Sequence, residues 1–448
     1  MAKKNRIITS SIAARNFLAA FLHNEAIGGI LLMICAVVAL MCANIQQLGF
    51  LHELWDTNVG INIGSFSLEM SLELWINDFL MAIFFFVVGL EIKREMMVGE
   101  LSSLKQASLP ILAAVGGMVV PAIIYSVFNW SDPESASGWG IPMATDIAFA
   151  LGVLSLLGKR VPLGLKVFLT ALAIVDDLGA IIVLAVFYPT HALHFDMLVY
   201  AAVIVLLLLT FNRNRVNNPI MYVIPGLFLW YFIFQSGIHA TIAGVILALT
   251  IPSKTVINEV RFSVSIKYWL EKFKQVSNSE VEVLANPEQQ HILHQMERNV
   301  RNMSPLMHKF EAGLHPLVTF FIMPVFALAN AGVAISGDLF TLPVPSVATG
   351  IFFGLLCGKP LGIFLFSLAA VKMRIAELPQ GTNWKQIFAL GIIAGIGFTM
   401  SIFIDGLAFS NENLINIGKA AILGTSLVAA LAGCLAVYMT SPKDSIGK

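Results

Sequence analysis

Thr170-Ala-Leu-Ala-Ile-Val-Asp176-Asp177-Leu-Gly-Ala-Ile-Ile-Val-Leu-Ala-Val-Phe187 is an apolar run long enough to cross a bilayer, broken only by two adjacent aspartates. An ionised carboxylate buried in hydrocarbon costs upward of about 2.5 kcal/mol. Two side by side cost more, because like charges repel. About six apolar residues precede the pair and nine follow it, so headgroup water at a helix end does not explain it. A pair kept at such cost implies a cation, protons or a counter-charge, and the default reading is an ion or proton site. Helix neighbours point about 100° apart. The two carboxylates therefore face different partners, one an aqueous cavity and the other a packed neighbour.

The rest of the chain gives this run a membrane setting. Of 448 residues, 57% are hydrophobic and only 12% charged, about half the share of a soluble domain. Net charge is zero, which argues against a nucleic-acid partner. Cys35, Cys42, Cys357 and Cys434 all lie in apolar runs and read as small core residues, not a disulfide framework or a metal site. Neither a phosphate-binding P-loop nor a dinucleotide motif is present, so ATP is not the expected energy source.

Spanning runs fall at 24–45, 72–92, 108–129, 141–157, 163–188, 194–211, 219–235, 237–251, 314–336, 345–371, 386–407 and 414–440, twelve in all. The distribution of basic residues tests that count independently. Alternate connections hold Lys3, Lys4, Arg6 and Arg15; Lys93, Arg94 and Lys105; Lys159, Arg160 and Lys166; Arg213 and Arg215; eight residues in 253–310; Lys372, Arg374 and Lys385; and Lys443 and Lys448. The intervening connections hold none; Lys166 stands at the start of the 163–188 run, and of the 27 Lys and Arg the remaining two, Lys359 and Lys419, lie within spans. Both termini are thereby expected on the cytoplasmic side, in a single transporter domain over 1–448 with a 46–71 outer loop and a long 253–310 cytoplasmic connection.

Within the 46–71 loop, Trp55–Glu69 alternates apolar and polar residues with glycines at turn positions, a hairpin pattern. An isolated hairpin is marginal in water. It would be steadier against a copy of itself. Asp78 lies about two turns into the second span. Glu91 and Glu95 share a helix face at its cytoplasmic end. They form either an ion-paired, solvated end or a negative funnel that gathers cations. In the fourth span, Pro142 followed by Thr145 and Asp146 reads as a helix interrupted at membrane depth. Asp146 then offsets a half-helix N-terminus or binds a cation. His239 reads as hydrogen-bonded structure. In the long connection, Val260–Val276 is basic and amphipathic like an interfacial helix, and 291–303 repeats apolar residues at helical spacing. Glu311 and His315 add a carboxylate and an imidazole at the cytoplasmic entrance of the ninth span, where a histidine can titrate near neutrality or serve as a cap.

Lys359 sits in Gly358-Lys359-Pro360-Leu-Gly362 with apolar neighbours on both sides. It needs a carboxylate partner, and Asp176, Asp177 and Asp146 are the candidates. Gly395-Ile-Gly397-Phe-Thr399-Met-Ser401 in the eleventh span favours unwinding at mid-membrane, in parallel with the fourth. A pair of Gly/Pro-interrupted spans points to a transporter's binding site. Asp405, nearer the outer end, is expected to be exposed.

Together these stretches resemble the NhaA-type sodium/proton antiporter family. The resemblance rests on Gly89-Leu-Glu91-Ile-Lys-Arg-Glu95, Ala144-Thr145-Asp146-Ile-Ala-Phe-Ala-Leu-Gly152, Ala173-Ile-Val-Asp176-Asp177-Leu-Gly-Ala180, Leu314-His315-Pro316, Ala329-Asn330-Ala-Gly-Val333, Gly358-Lys359-Pro-Leu-Gly362 and Gly395–Ser401, in order over most of the chain. It implies an all-α membrane protein of twelve helices, with inverted repeats as known for that family and with the fourth and eleventh helices interrupted and crossing. It implies that Asp176 and Asp177 bind the transported sodium or lithium and the protons, with Lys359 paired to Asp176 and with Asp146 and Thr145 at the crossing. It places Glu91, Glu95 and Glu311 in a pH-sensing mouth. It implies electrogenic, pH-regulated exchange without a cofactor, a homodimer through the outer hairpin, and the bacterial inner membrane. Two features depart from the pattern: 253–310 is longer than usual, and Ala312 stands where the family has a histidine beside the glutamate. An intramembrane aspartyl protease is a poor fit, because neither aspartate carries that family's dipeptides. A sodium-coupled symporter of an organic anion is the better rival. A passive channel fits least, since buried opposite charges would trap the permeant ion.

Overall fold

The computed structural model describes residues 25–45, 50–64, 66–189, 193–276, 286–334 and 344–441. The terminal basic residues Lys3, Lys4, Arg6, Arg15, Lys443 and Lys448 lie outside the described residues. So do 46–49 and Ser65 of the outer loop and 277–285 of the long connection.

The chain is an all-α polytopic membrane protein. Among the described residues, eight helices are long and apolar enough to cross a bilayer: Ile27–Asn44, Leu72–Val98, Lys105–Asn129, Leu163–Phe187, Phe195–Arg213, Leu306–Asn330, Ser346–Lys372 and Glu412–Thr440. Two bent pairs bring the number to ten. Pro133–Met143 and Ile147–Leu156 meet at 47°, and Trp384–Ala394 and Phe398–Ala408 meet at 50°. Ile220–Gln235 and Ile242–Thr250 are shorter apolar helices, separated at Gly237, whose φ is +86°.

Each bend has a local cause. Pro142 has no N–H to donate, and Ala144 and Asp146 take extended backbone angles, so the helix restarts at Ile147. At the other bend the chain passes through Gly395 and Gly397. A Cβ on Gly395 would lie 2.4 Å from the Leu355 carbonyl oxygen, so this approach of two backbones requires glycine.

Three spans carry one wide turn each: Trp75–Leu80, Val318–Ile322 and Gly354–Gly358. Such π-turns concentrate at functional sites. Lys359 directly follows the third and is among the largest fully buried side chains.

The outer loop forms an antiparallel hairpin, Asn58–Ile63 with Phe66–Ser71, in register from Asn58↔Ser71 to Ile63↔Phe66. The Trp75 indole N–H donates to the Val59 carbonyl at 2.8 Å and ties the hairpin to the second span. In the long connection, Glu259–Val276 packs against Pro287–Met303.

Asp405 is not exposed as expected: it is fully buried, and neither carboxylate oxygen is hydrogen-bonded among the described residues. The Glu412–Thr440 helix covers it at Gly418, where a Cβ would stand 1.9 Å from the carboxylate. Hydropathy alone could not show that a small residue on a neighbouring helix would let that helix close over Asp405.

Candidate functional site

The two bends meet each other through hydrogen bonds to main-chain carbonyls. The Asp146 N–H donates to the Ile396 carbonyl at 2.8 Å. The Ser401 hydroxyl donates to the Ile141 carbonyl at 2.8 Å. Backbone freed at one bend is thus satisfied at the other, which is what non-helical chain at membrane depth requires.

Asp146 sits at this junction with both carboxylate oxygens occupied. One accepts the Phe149 N–H at 2.9 Å and caps its own helix, Ile147–Leu156. The other accepts the Thr399 N–H at 3.2 Å and the Thr399 hydroxyl. Two half-helices therefore direct their N-terminal N–H groups at one carboxylate, which complements both positive ends. Between the two roles that the sequence left open for Asp146, this geometry supports the cap.

Thr145, the preceding residue, turns the other way. Its hydroxyl is 2.7 Å from Asp176 Oδ2 and 2.9 Å from the Ala394 carbonyl. Its one proton can serve only one of them at a time. The hydroxyl thereby ties the aspartate pair to the junction.

Asp176 and Asp177 lie in the middle of the Leu163–Phe187 helix, 1% and 2% exposed. Asp176 Oδ2 takes the Lys359 ammonium as an ion pair. Asp176 Oδ1 has no hydrogen-bond partner among the described residues. No described residue donates a hydrogen bond to Asp177. The two neighbours are unequal: one is salt-bridged to the tenth span, and the other stands apart from that pair.

The charges can be counted. Two buried carboxylates, Asp176 and Asp177, face one buried ammonium, Lys359. Asp146 is met by helix N-termini instead. Among the described residues one negative charge of this group thus has no ion-pair partner, and a buried unpaired charge is untenable. A single bound cation or a proton neutralises it. No group of three His, Cys, Asp or Glu side chains among the described residues could hold a resident metal. Any ion here is held by one or two carboxylates and neutral oxygens, which suits a small hard cation.

The remaining candidates stand elsewhere. Arg94 bridges Glu95, at 3.2 Å, and Glu311 on the Leu306–Leu317 helix. Glu95 also accepts the Glu100 N–H at 3.1 Å. Glu91 lies one turn earlier, and His315 one turn beyond Glu311. The Arg94 ion pairs join Leu72–Val98 and Leu306–Asn330 at one end, while Glu91, one turn earlier, is close enough for its charge to act on Asp177. Asp78 is buried in the Trp75–Leu80 turn, and no hydrogen bond or ion pair among the described residues links it to Asp176 or Asp177.

Thr399 enters the site from the stretch Gly-Ile-Gly-Phe-Thr399, whose glycines mark the bend without marking the threonine as a partner of Asp146. Ser426, whose hydroxyl accepts the Phe398 N–H at 3.1 Å, was beyond reach, since serine is ordinary in membrane helices.

Comparison with known proteins gives a consistent picture. Residues 19–437 match the profile of the family described as Na+/H+ antiporter 1. A Wolinella succinogenes protein named Na(+)/H(+) antiporter NhaA is 48% identical over 413 residues, 92% of this chain and 91% of its own. Its namesake in Oleidesulfovibrio alaskensis is 49% identical over 414 residues, with the same shares. A third, from Helicobacter pylori strain G27, is 46% identical over 434 residues, 96% of each chain.

Proposed function

This chain belongs to the Na+/H+ antiporter 1 family, and from that premise we propose how its residues carry out the exchange. The protein is a membrane transporter, not an enzyme, and exchanges sodium for protons.

Asp177 is the primary ligand of the transported sodium or lithium. Asp176 assists through Oδ1, which has no hydrogen-bond partner among the described residues, and the Thr145 hydroxyl, 2.7 Å from Asp176 Oδ2, is a neutral oxygen beside it. The observation that carries this reading is the one uncompensated carboxylate charge beside the Asp176–Lys359 pair. Sodium and protons compete for it. When the site faces outside, protons displace the ion; when it faces inside, the ion displaces protons. If Asp177 and either Asp176 or Lys359 each release a proton for every sodium bound, net charge moves and the membrane potential helps drive sodium out. The junction at Asp146 holds the two half-helix pairs together while the site changes sides, with Thr399 as its partner.

Counting Ile220–Gln235 and Ile242–Thr250 with the ten gives the proposed twelve spans, arranged as inverted repeats within one transporter domain, with both termini cytoplasmic in a bacterial inner membrane. Glu91, Glu95, Glu311 and His315, with Arg94, form a mouth that responds to pH, and Asp78 is accessory. The 58–71 hairpin has only two strands among the described residues, so its edges have no third strand there, which supports a homodimer. A symporter of an organic anion is not favoured: the cation such a substrate would need, Lys359, is already paired to Asp176.

The test is sodium-driven collapse of a proton gradient in everted vesicles. The wild-type chain exchanges and Asp177→Asn does not. Full exchange by an Asp177→Asn protein present at normal abundance would sink the assignment.

A further inference from the structure

The Glu259–Val276 helix has one face turned to Pro287–Met303, with Phe262, Ile266, Trp269 and Phe273 half-buried and the Trp269 ring 6.2 Å from that of His291. A second apolar line is left without cover. Val260 is 71% exposed, Val264 66% and Tyr268 49%, at intervals of four that place them in a row along the helix. Basic residues flank this row: Arg261 and Lys272 on one side, Lys267 and Lys274 on the other, all exposed. Lys272 lies 5.2 Å from the centre of the Tyr268 ring and 5.9 Å from that of Trp269. The helix carries four basic residues against Glu259 and Glu271.

The segment is also fixed at the edge of the membrane domain. It leaves after Ile242–Thr250 and returns at Leu306, where the Met307 N–H donates to the Pro252 carbonyl at 3.3 Å. The Val256 N–H donates to the Asn302 carbonyl at 3.1 Å and closes the base of the excursion. Its departure and return are thus one point, at the ends of two membrane helices.

We propose that Glu259–Val276 docks on the anionic headgroup surface of the protein's own membrane, with Val260, Val264 and Tyr268 seated among the lipids and Arg261, Lys267 and Lys272 on their phosphates. The chemistry is that of an interfacial helix: an apolar stripe of shallow depth, an aromatic residue at the boundary, and flanking cations that interact with acidic lipid. The nearest large surface to a segment tethered at both ends to membrane helices is the bilayer itself. A soluble acidic partner would use the basic residues but leave the valine row in water. The return chain leads directly into the helix that carries Glu311, so lipid composition reaches the Arg94–Glu311 pair through this attachment.

The experiment is amide hydrogen exchange on the full-length protein in nanodiscs of phosphatidylglycerol or of phosphatidylcholine, followed over 259–276. Exchange slows several-fold in phosphatidylglycerol and returns to the phosphatidylcholine rate at high salt, because screening weakens exposed charges. Two variants, Val260→Asp with Val264→Asp and Lys267→Glu with Lys272→Glu, each lose the slowing. Sodium-dependent proton release on the same samples confirms that the variants are folded. Equal exchange in the two lipids overturns the proposal, as does slowing that survives both variants. Protection in both lipids that disappears when one copy per disc is enforced assigns the surface to a second copy instead.

Discussion

The Lys359 ammonium and the Asp176 carboxylate form an ion pair in which both side chains are sealed, 0% and 1% exposed. The pair joins the tenth span to the fifth just after a wide turn that ends at Gly358. Breaking such a pair by removing one partner costs about 3–5 kcal/mol, because the other is left buried and unpaired, whereas replacing both can be neutral. Lys359→Met should therefore lower the thermal unfolding temperature sharply, and adding Asp176→Asn should recover most of the loss. A double variant no more stable than Lys359→Met would show that the pair is not what holds these helices.

Asp177 behaves differently. No described residue donates to it, so Asp177→Asn removes a charge without stranding a partner. Its stability should change little or rise, while sodium exchange disappears. Unfolding and transport measured on the same preparation separate the two effects. Loss of both together would argue that the residue is structural.

Thr399 gives Asp146 its hydroxyl hydrogen bond and its backbone N–H. Thr399→Val keeps the shape and the N–H but removes the hydroxyl. Hydrogen bonds to charged groups contribute about 1.5–3 kcal/mol. A loss of that size, with slower exchange, is expected; Thr399→Ser should restore both. A serine variant as impaired as valine would show that the methyl group, not the hydroxyl, matters.

Gly395→Ala sets a methyl group 2.4 Å from the Leu355 carbonyl oxygen. Overpacking of this kind costs about 1–3 kcal/mol. The bend would have to open, so turnover should fall well beyond the stability loss. Gly424→Ala, where nothing lies within 4 Å, is the control and should be silent in both assays.

Competition between sodium and protons for one site fixes the form of the pH dependence. As pH falls, the KM for sodium on the inner face should rise with proton concentration, to the first power if one proton is displaced and to the second if two are, with the maximal rate unchanged over the same interval. A KM independent of pH, with a falling maximal rate, would mean that protons act at a separate site such as the Glu95–Arg94–Glu311 cluster.

Much of this was readable in the chain. Adjacent aspartates in an apolar run have few physical explanations, and the apolar runs marked a polytopic membrane protein before any contact was known. The bends at Pro142 and at Gly395–Gly397 announced themselves because proline and glycine act on their own backbone. The 58–71 hairpin and the two helices of the long connection were local patterns too. Asp405 is buried against expectation because Gly418 lets another helix close over it.

Membrane residence, the expensive aspartate pair and the stray lysine were determined by the sequence, because burial energy and backbone geometry act residue by residue. Which carboxylate Lys359 meets was left open by the residues themselves and implied only by the family resemblance; that Asp146 caps two half-helices and that Thr145 ties the junction to Asp176 were decided only by the tertiary structure. Asp176, Asp177 and Asp146 were chemically equivalent candidates for Lys359. Only the packing of Leu163–Phe187 and Lys359–Lys372 against one shared helix, Leu104–Asn129, and the meeting of the two bends bring one carboxylate within reach of the ammonium and leave the other without an ion pair among the described residues.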